Sequence, residues 1–95
     1  MAPSEDAGDQ LPMRLRRLRF RAWHRGTKEM DLLLGPFADA RLEGMAEADL
    51  DRFEALLEEA DTDLLKWLTG QEPAPADADR ALLSDLLAFR VQTHG

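Results

Sequence analysis

The chain has 95 residues, which suits one domain with a modest core. It contains no cysteine, so disulfides, thiolate nucleophiles and cysteine-based metal sites are excluded, and no apolar run approaches the roughly 20 residues of a membrane span. The net charge of −7 is unevenly divided, because residues 11–28 carry seven bases and no acid. This asymmetry favours a partner that needs a basic face, or packing of the two halves of the fold against each other.

The chain begins with a small, polar and acidic stretch, residues 1–10, which predicts a disordered tail. Residues 11–95 are predicted to form a single helical domain. The first residues lack both an apolar signal core and the Arg- and Ser-rich character of a transit peptide. We therefore expect a bacterial cytoplasmic protein.

The first predicted helix runs from Pro12 to about His24 and is strongly basic. Its core stripe falls at helical spacing on Leu11, Leu15, Leu18 and Ala22. A second face at similar spacing carries Arg14, Arg17 and Arg21. Trp23, at the end of this helix, is either a core residue or an exposed contact anchor.

Gly26 is predicted to end the first helix, because glycine readily takes the left-handed conformation of a helix end. As N-cap of the second helix it would place Glu29 at the third helical position. The second helix starts near Thr27 and ends around Gly44, with a kink or break at Pro36. Its core stripe is Met30, Leu33, Leu34 and Phe37.

The third helix is predicted over residues 46–59, with a poor N-cap at Ala46. A short fourth helix is capped by Asp61 and ends at Gly70. The fifth helix is capped by Asp77 or Asp79 and frays after residue 92. No segment alternates with period two, so the expected fold is all-α, a compact bundle of five short helices.

Two motifs resemble the SdhE family, also called succinate dehydrogenase assembly factor 2. The family's Arg-Gly-x-x-Glu motif is matched by Arg25, Gly26 and Glu29, and a further acidic position by Asp31. A downstream pattern is matched by Leu-Leu-Glu at residues 56–58 and by Asp-Thr-Asp-Leu-Leu-Lys-Trp-Leu at residues 61–68. The resemblance covers roughly residues 14 to 92.

The resemblance implies an assembly factor that binds the flavoprotein subunit of succinate dehydrogenase and promotes covalent attachment of FAD to a histidine of that subunit. A fumarate reductase flavoprotein is a further possible client. The FAD belongs to the client, no cofactor is stably bound, and the free chain is expected to be a monomer. The implied client-binding residues are Arg25, Gly26, Glu29, Asp31, Arg21 and Arg17.

Alternative interpretations follow from the residues alone. Arg25 and Glu29, four apart, could form a local ion pair worth a few tenths of a kcal/mol. The basic helix could serve an adaptor that binds an acidic protein or nucleic acid, although the acidic remainder of the chain disfavours a polyanion. A membrane surface is disfavoured because the apolar stripe of this helix is needed for the core. No nucleophile–base pair, metal-ligand set or phosphate loop is apparent, so an enzyme is not expected.

Overall fold

The computed structural model describes the backbone of residues 12–94 and the side chains of residues 12–90. The predicted tail and Leu11 lie outside the described residues. Five α-helices fill the described range, and no strand occurs within it, which confirms the all-α prediction. The helices are α1 (Met13–Trp23), α2 (Lys28–Arg41), α3 (Glu47–Leu57), α4 (Asp61–Leu68) and α5 (Arg80–His94), with a 3₁₀ turn at Leu42–Gly44 after α2. None of these helices is long and apolar enough to cross a bilayer.

One hydrophobic cluster joins all five helices, and α2 supplies its centre. Within the described residues, the predicted stripes of α1 and α2 are buried, except that Leu33 is only partly buried. The Phe37 ring of α2 stacks on Phe53 of α3 at 5.8 Å and meets Phe89 of α5 edge-on at 5.7 Å. Such aromatic contacts add about 0.5–1.5 kcal/mol each to the burial of apolar area. The core therefore fixes α3 and α5 on either side of α2.

The connection between α1 and α2 is four residues long and turns at Gly26, whose φ of +108° is strained for residues with a side chain. The N-cap of α2 is Thr27, whose Oγ1 accepts a hydrogen bond from the Met30 amide at 3.3 Å. The predicted cap at Gly26 is therefore wrong, and Glu29 is the second helical residue instead of the third. A hydroxyl can satisfy a free helical amide, which glycine cannot do.

Helix α2 is continuous through Pro36, so the predicted break is absent. Just before the proline, Gly35 is buried against the indole of Trp23, and a Cβ at this position would overlap the ring atoms. The Trp23 Nε1 donates a hydrogen bond to Asp39 at 3.2 Å. Trp23 is thus half-buried in the contact between α1 and α2. Of the two interpretations given above, a core residue or an exposed contact anchor, this position favours packing within the fold.

Of the three predictions for the ends of α3 and α4, two are confirmed and one is wrong. Ala46 precedes α3 without a side-chain cap, as expected. Ala60, and not Asp61, is the N-cap of α4, because Asp61 is already helical and its carboxylate bonds elsewhere. Beyond α4, Gly70 has a positive φ of +78°, as a helix end requires.

Helix α5 is capped by Asp79, whose Oδ1 accepts a hydrogen bond from the Leu82 amide at 3.0 Å. The same carboxylate accepts two hydrogen bonds from the Arg52 guanidinium of α3, at 2.6 and 2.7 Å. Those bonds, together with that of Leu82, lower the pKa of Asp79. The helix continues to His94, past the predicted end. Asp79 thereby caps α5 and ties it to α3.

Candidate partner-binding site

Helix α1 presents four faces, because successive residues in an α-helix are rotated by about 100°. The core face carries Leu15, Leu18 and Ala22, all buried. One flank of α1 faces α3, and the opposite flank faces α2. On the flank towards α2, Arg19 Nε donates a hydrogen bond to Asp39 Oδ1 at 3.1 Å. The fourth face points away from the core. These four environments decide which cations of α1 are available to a partner.

The flank towards α3 is neutralised by acidic side chains of that helix. Arg14 lies against three carboxylates, those of Glu47, Asp51 and Glu54. Hydrogen bonds to Asp51 and then Glu54 raise the pKa of Arg14. These contacts support one of the two explanations given above for the charge asymmetry of the sequence, namely that the basic and acidic parts of the chain pack against each other.

Arg25, the first residue of the Arg-Gly-x-x-Glu motif, is directed into the molecule. Its Nη1 and Nη2 donate to the carbonyls of Leu57 and Glu59 at 2.6 and 2.8 Å, and its Nε donates to Asp61 at 2.7 Å. The side chain is only 10% exposed. The carbonyls at the end of α3 lack helical partners and carry the negative end of the helix dipole, which suits a guanidinium. The predicted pair of Arg25 with Glu29 is wrong, since Arg25 instead joins the α3–α4 turn.

The other motif residues divide into a partly buried residue, Asp31, and two exposed residues, Gly26 and Glu29. Asp31 accepts a hydrogen bond from the backbone amide of Arg25 at 2.6 Å. This bond ties the Gly26 turn to the first turn of α2. Gly26 is exposed, and a Cβ built on it meets no atom within 4 Å. Glu29 is exposed and forms no ion pair with any residue that the structure describes. Gly26 and Glu29 are therefore exposed at this corner, and the hydrogen bonds of Arg25 and Asp31 hold the corner in place.

The two remaining candidate residues, Arg17 and Arg21, do not share one environment. Arg21 bonds Glu58 beside α3 and approaches Glu54 at 4.0 Å. Arg17 is exposed and has no ion pair within the described part of the chain. Of the predicted common face, Arg14 and Arg21 are paired with carboxylates on or next to α3, whereas Arg17 lies towards the outward side and borders an open groove together with Arg21.

Sequence reasoning missed the apolar residues of the outward face. Met13 and Phe20 are 61% and 63% exposed. The imidazole of His24 stacks on the Phe20 ring with centroids 4.0 Å apart, and its Nδ1 lies 2.7 Å from the Phe20 carbonyl oxygen. The signal was present in the spacing, because these positions lie opposite the core stripe of Leu15 and Leu18 on a helical projection.

No group of three acidic or histidine side chains within the described residues is arranged to hold a metal ion. The recess beside Arg25 is an open groove of about 380 Å³. It is lined by Phe20, Arg21, His24, Arg25, Glu59, Ala60 and Asp61. Its shape and its mixture of ring and charged groups suit contact with another molecule's surface.

The fold and this corner define a class of protein, namely a small helical domain that holds a glycine-containing turn rigidly at its surface. Residues 16–90 match the family model described as flavinator of succinate dehydrogenase. The chain belongs to that family. This result confirms the resemblance drawn from the two motifs, which lie within the matched residues.

Individual relatives agree with the family match. The chain is 43% identical over 77 residues to the FAD assembly factor SdhE of Acetobacter pasteurianus, covering 81% of this chain and 71% of that protein. It is 43% identical over 63 residues to the mitochondrial succinate dehydrogenase assembly factor 2 of Mycosarcoma maydis, covering 66% of this chain and 26% of the relative. The corresponding protein of Caenorhabditis briggsae is 33% identical over 79 residues, covering 81% of this chain and 65% of the relative. The chain thus spans only part of these two longer relatives.

Proposed function

We propose that this chain is an assembly factor that binds the flavoprotein subunit of succinate dehydrogenase and promotes covalent attachment of FAD to it. The observation that carries the proposal is the family match over residues 16–90. The names of the bacterial and mitochondrial relatives support the same role. The proposal also agrees with the surface, which offers a rigid corner for contact with a larger protein.

In this proposal the chain is not an enzyme, and the flavoprotein client supplies both the FAD and the reacting groups. A binding protein can accelerate a reaction in its client if it binds the reactive conformation more tightly than the others. A tenfold increase in the population of that conformation requires a difference in binding free energy of about 1.4 kcal/mol. A few well-placed contacts are sufficient for this.

The contact that we assign to the client is centred on Gly26 and Glu29. Gly26 has no side chain and open space around it, so a backbone segment of the client can come close. Glu29 offers a carboxylate without an internal partner among the described residues. Arg25 and Asp31 contribute to the proposed contact by holding the Gly26 turn in place, because the Arg25 side chain donates three hydrogen bonds within the chain, to Leu57, Glu59 and Asp61.

The test compares two substitutions at Gly26 that impose the same backbone strain but differ in the size and charge of the side chain. Both Gly26→Ala and Gly26→Arg place a Cβ at a positive φ, which costs roughly 1–2 kcal/mol of stability. Only the arginine adds bulk and charge at the surface. We expect Gly26→Arg to abolish covalent FAD attachment in a reconstituted assay with the flavoprotein subunit, and Gly26→Ala to retain most of it. In-gel flavin fluorescence measures the product, and circular dichroism verifies the fold of each variant.

Gly70 provides a matched control, because it also has a positive φ and open space around its Cα. Gly70→Arg and Gly70→Ala should resemble each other in the assay, since we place no client contact there. Equal loss of flavin attachment in Gly26→Ala and Gly26→Arg would show that backbone strain alone is responsible. Full activity of a folded Gly26→Arg variant would contradict the proposed contact.

A further inference from the structure

The outward face of α1 forms a continuous surface that the candidate corner does not include. It consists of Met13, Arg16, Arg17, Phe20 and His24, each of which lies three or four residues from another member of the set. This outward face lies opposite the buried stripe of α1 and covers about three turns of helix. His24 brings it to within two residues of Gly26, so the outward face and the corner are adjacent.

The outward face carries two large apolar side chains that are mostly exposed. Of the four large hydrophobic side chains that are exposed among the described residues, Met13 and Phe20 are the two with the largest exposed fractions. An open groove of about 470 Å³ runs beside them, and the Phe20 ring also borders the groove next to Arg25. Phe20 therefore stands as a ridge between two recesses. Exposed aromatic residues next to recesses are typical anchors of protein interfaces.

The same face carries cations that the fold leaves without an acidic neighbour. Arg16 and Arg17 are exposed and have no ion pair among residues 12–90, whereas the other arginines of the basic segment are all paired. The paired arginines are Arg14, Arg19, Arg21 and Arg25. In a chain with a net charge of −7, two adjacent unpaired cations next to apolar side chains are complementary to an acidic surface that carries apolar groups.

We propose that the outward face of α1 docks an acidic segment with apolar side chains on the flavoprotein subunit, an inference that rests on the proposed function. Phe20 and Met13 pack on the apolar side chains of that segment, and Arg16 and Arg17 pair with its carboxylates. The client is then held at two points, at the outward face and at the Gly26 corner. Two linked contacts fix orientation better than one, because the second forms at a high effective concentration.

Charge argues against a second copy of this chain as the occupant. A symmetric dimer through this face would place the Arg16 and Arg17 side chains of one copy close to those of the other, which is unfavourable. An anionic membrane is also disfavoured, because the chain as a whole is negatively charged. An acidic protein surface meets neither objection.

The test measures the affinity of the full chain for the purified flavoprotein subunit by isothermal titration calorimetry. Phe20→Ala removes the aromatic ridge, and Arg16→Glu combined with Arg17→Glu reverses the unpaired charges. All three residues are exposed, so the fold should be retained. We expect each variant to raise the Kd at least tenfold, and the double reversal to weaken the salt dependence of binding.

The control variants are Leu87→Ala, at an apolar residue of α5 that is 36% exposed, and Lys66→Glu, at a partly exposed cation of α4 that lies near Glu72. Both should bind as the wild type does. Unchanged affinity of Phe20→Ala and of the double reversal, with binding lost in Gly26→Arg, would overturn the inference and leave the proposed function intact. Absence of any wild-type binding would overturn both.

Other occupants of the outward face give recognisably different results. A dimer of the wild type in sedimentation that becomes monomeric on Phe20→Ala would identify a second copy. Binding of the wild type to vesicles containing phosphatidylserine, lost on charge reversal, would identify a membrane surface. Either result would overturn the assignment of this face to the flavoprotein. A wild-type chain that is monomeric and does not bind the vesicles would support the assignment.

Discussion

Arg25 shows how the position of one side chain changes the meaning of a motif. In the sequence it stands four residues before Glu29, which suggests a local pair. In the fold it instead satisfies the free carbonyls at the end of α3 and pairs with Asp61 at the start of α4. One guanidinium therefore joins three chain segments, and the conformation of the Gly26 turn depends on a residue that is itself almost buried.

Truncation of Arg25 should therefore destabilise the protein much more than loss of a surface ion pair. Arg25→Ala leaves two carbonyls and the Asp61 carboxylate without their donor, so we expect the free energy of unfolding to fall by about 2–4 kcal/mol. Arg25→Lys should recover part of this loss, because an ammonium keeps the charge but not the planar fork. Urea unfolding followed by circular dichroism measures both.

The Asp61→Asn variant is the control for Arg25, because the amide keeps an oxygen acceptor and removes only the charge. Its loss of stability should be smaller than that of Arg25→Ala, and the two effects should not be additive, since the groups are in contact. A change below about 0.5 kcal/mol for Arg25→Ala would place it among ordinary surface pairs and contradict the role described here.

At the scale of the helices, α1 and α2 are brought together by the Trp23 indole lying on Gly35. Glycine within a helix is normally unfavourable by up to ~1 kcal/mol relative to alanine. Here its missing side chain makes room for the indole of Trp23, one of the two tryptophans in the chain. The contact of the two helices thus depends on a pair of residues whose effects on stability are coupled.

The sign of the Gly35→Ala effect should depend on Trp23. In the wild-type chain the new methyl overlaps the indole, and we expect a loss of about 1–3 kcal/mol in the free energy of unfolding. In the Trp23→Ala background the ring is gone, and the same substitution should stabilise the protein by up to ~1 kcal/mol. A double-mutant cycle by urea unfolding measures the coupling. Equal destabilisation in both backgrounds would contradict the packing described for this pair.

Local patterns were sufficient to predict the elements of this fold. Helical spacing predicted the buried residues of α1 and α2 within the described range. Gly70 was predicted as a helix end, and Asp79 was one of the two candidate caps of α5, because such effects act within a few residues. Contacts between distant residues were not predictable in this way. Arg25 and Asp61 are 36 residues apart, and only the packed core determines that they meet.

The candidate site was predicted in its position and only partly in its geometry. The motif located the corner, but spacing alone could not show that Arg25 is turned inward while Gly26 is exposed. Phe20 belongs neither to the predicted core stripe of α1 nor to its predicted basic face, so no role was predicted for it. Its exposure follows from the direction of the core face, and a helical projection that includes every residue of α1 would have indicated it.

At the scale of the whole molecule, the charge of the basic segment is mainly used inside the fold. Arg14, Arg21 and Arg25 bind acidic groups of α3 and α4, and Arg19 binds Asp39 of α2. Nucleic acid would have to compete with these carboxylates for the same guanidinium groups. The surface potential is therefore far less positive than the composition of residues 11–28 suggests.

This distribution predicts that the chain does not function as a nucleic-acid adaptor. The Kd for double-stranded DNA should be larger than about 100 µM at about 0.15 M salt, which is the upper end of the range for non-specific DNA binding. Fluorescence anisotropy with a labelled duplex measures this. Micromolar binding with a steep salt dependence that is lost on Arg16→Glu combined with Arg17→Glu would contradict the prediction, because it would show that the unpaired cations of α1 serve a polyanion. Weak binding that is unaffected by the same reversal leaves these two arginines free for an acidic protein surface.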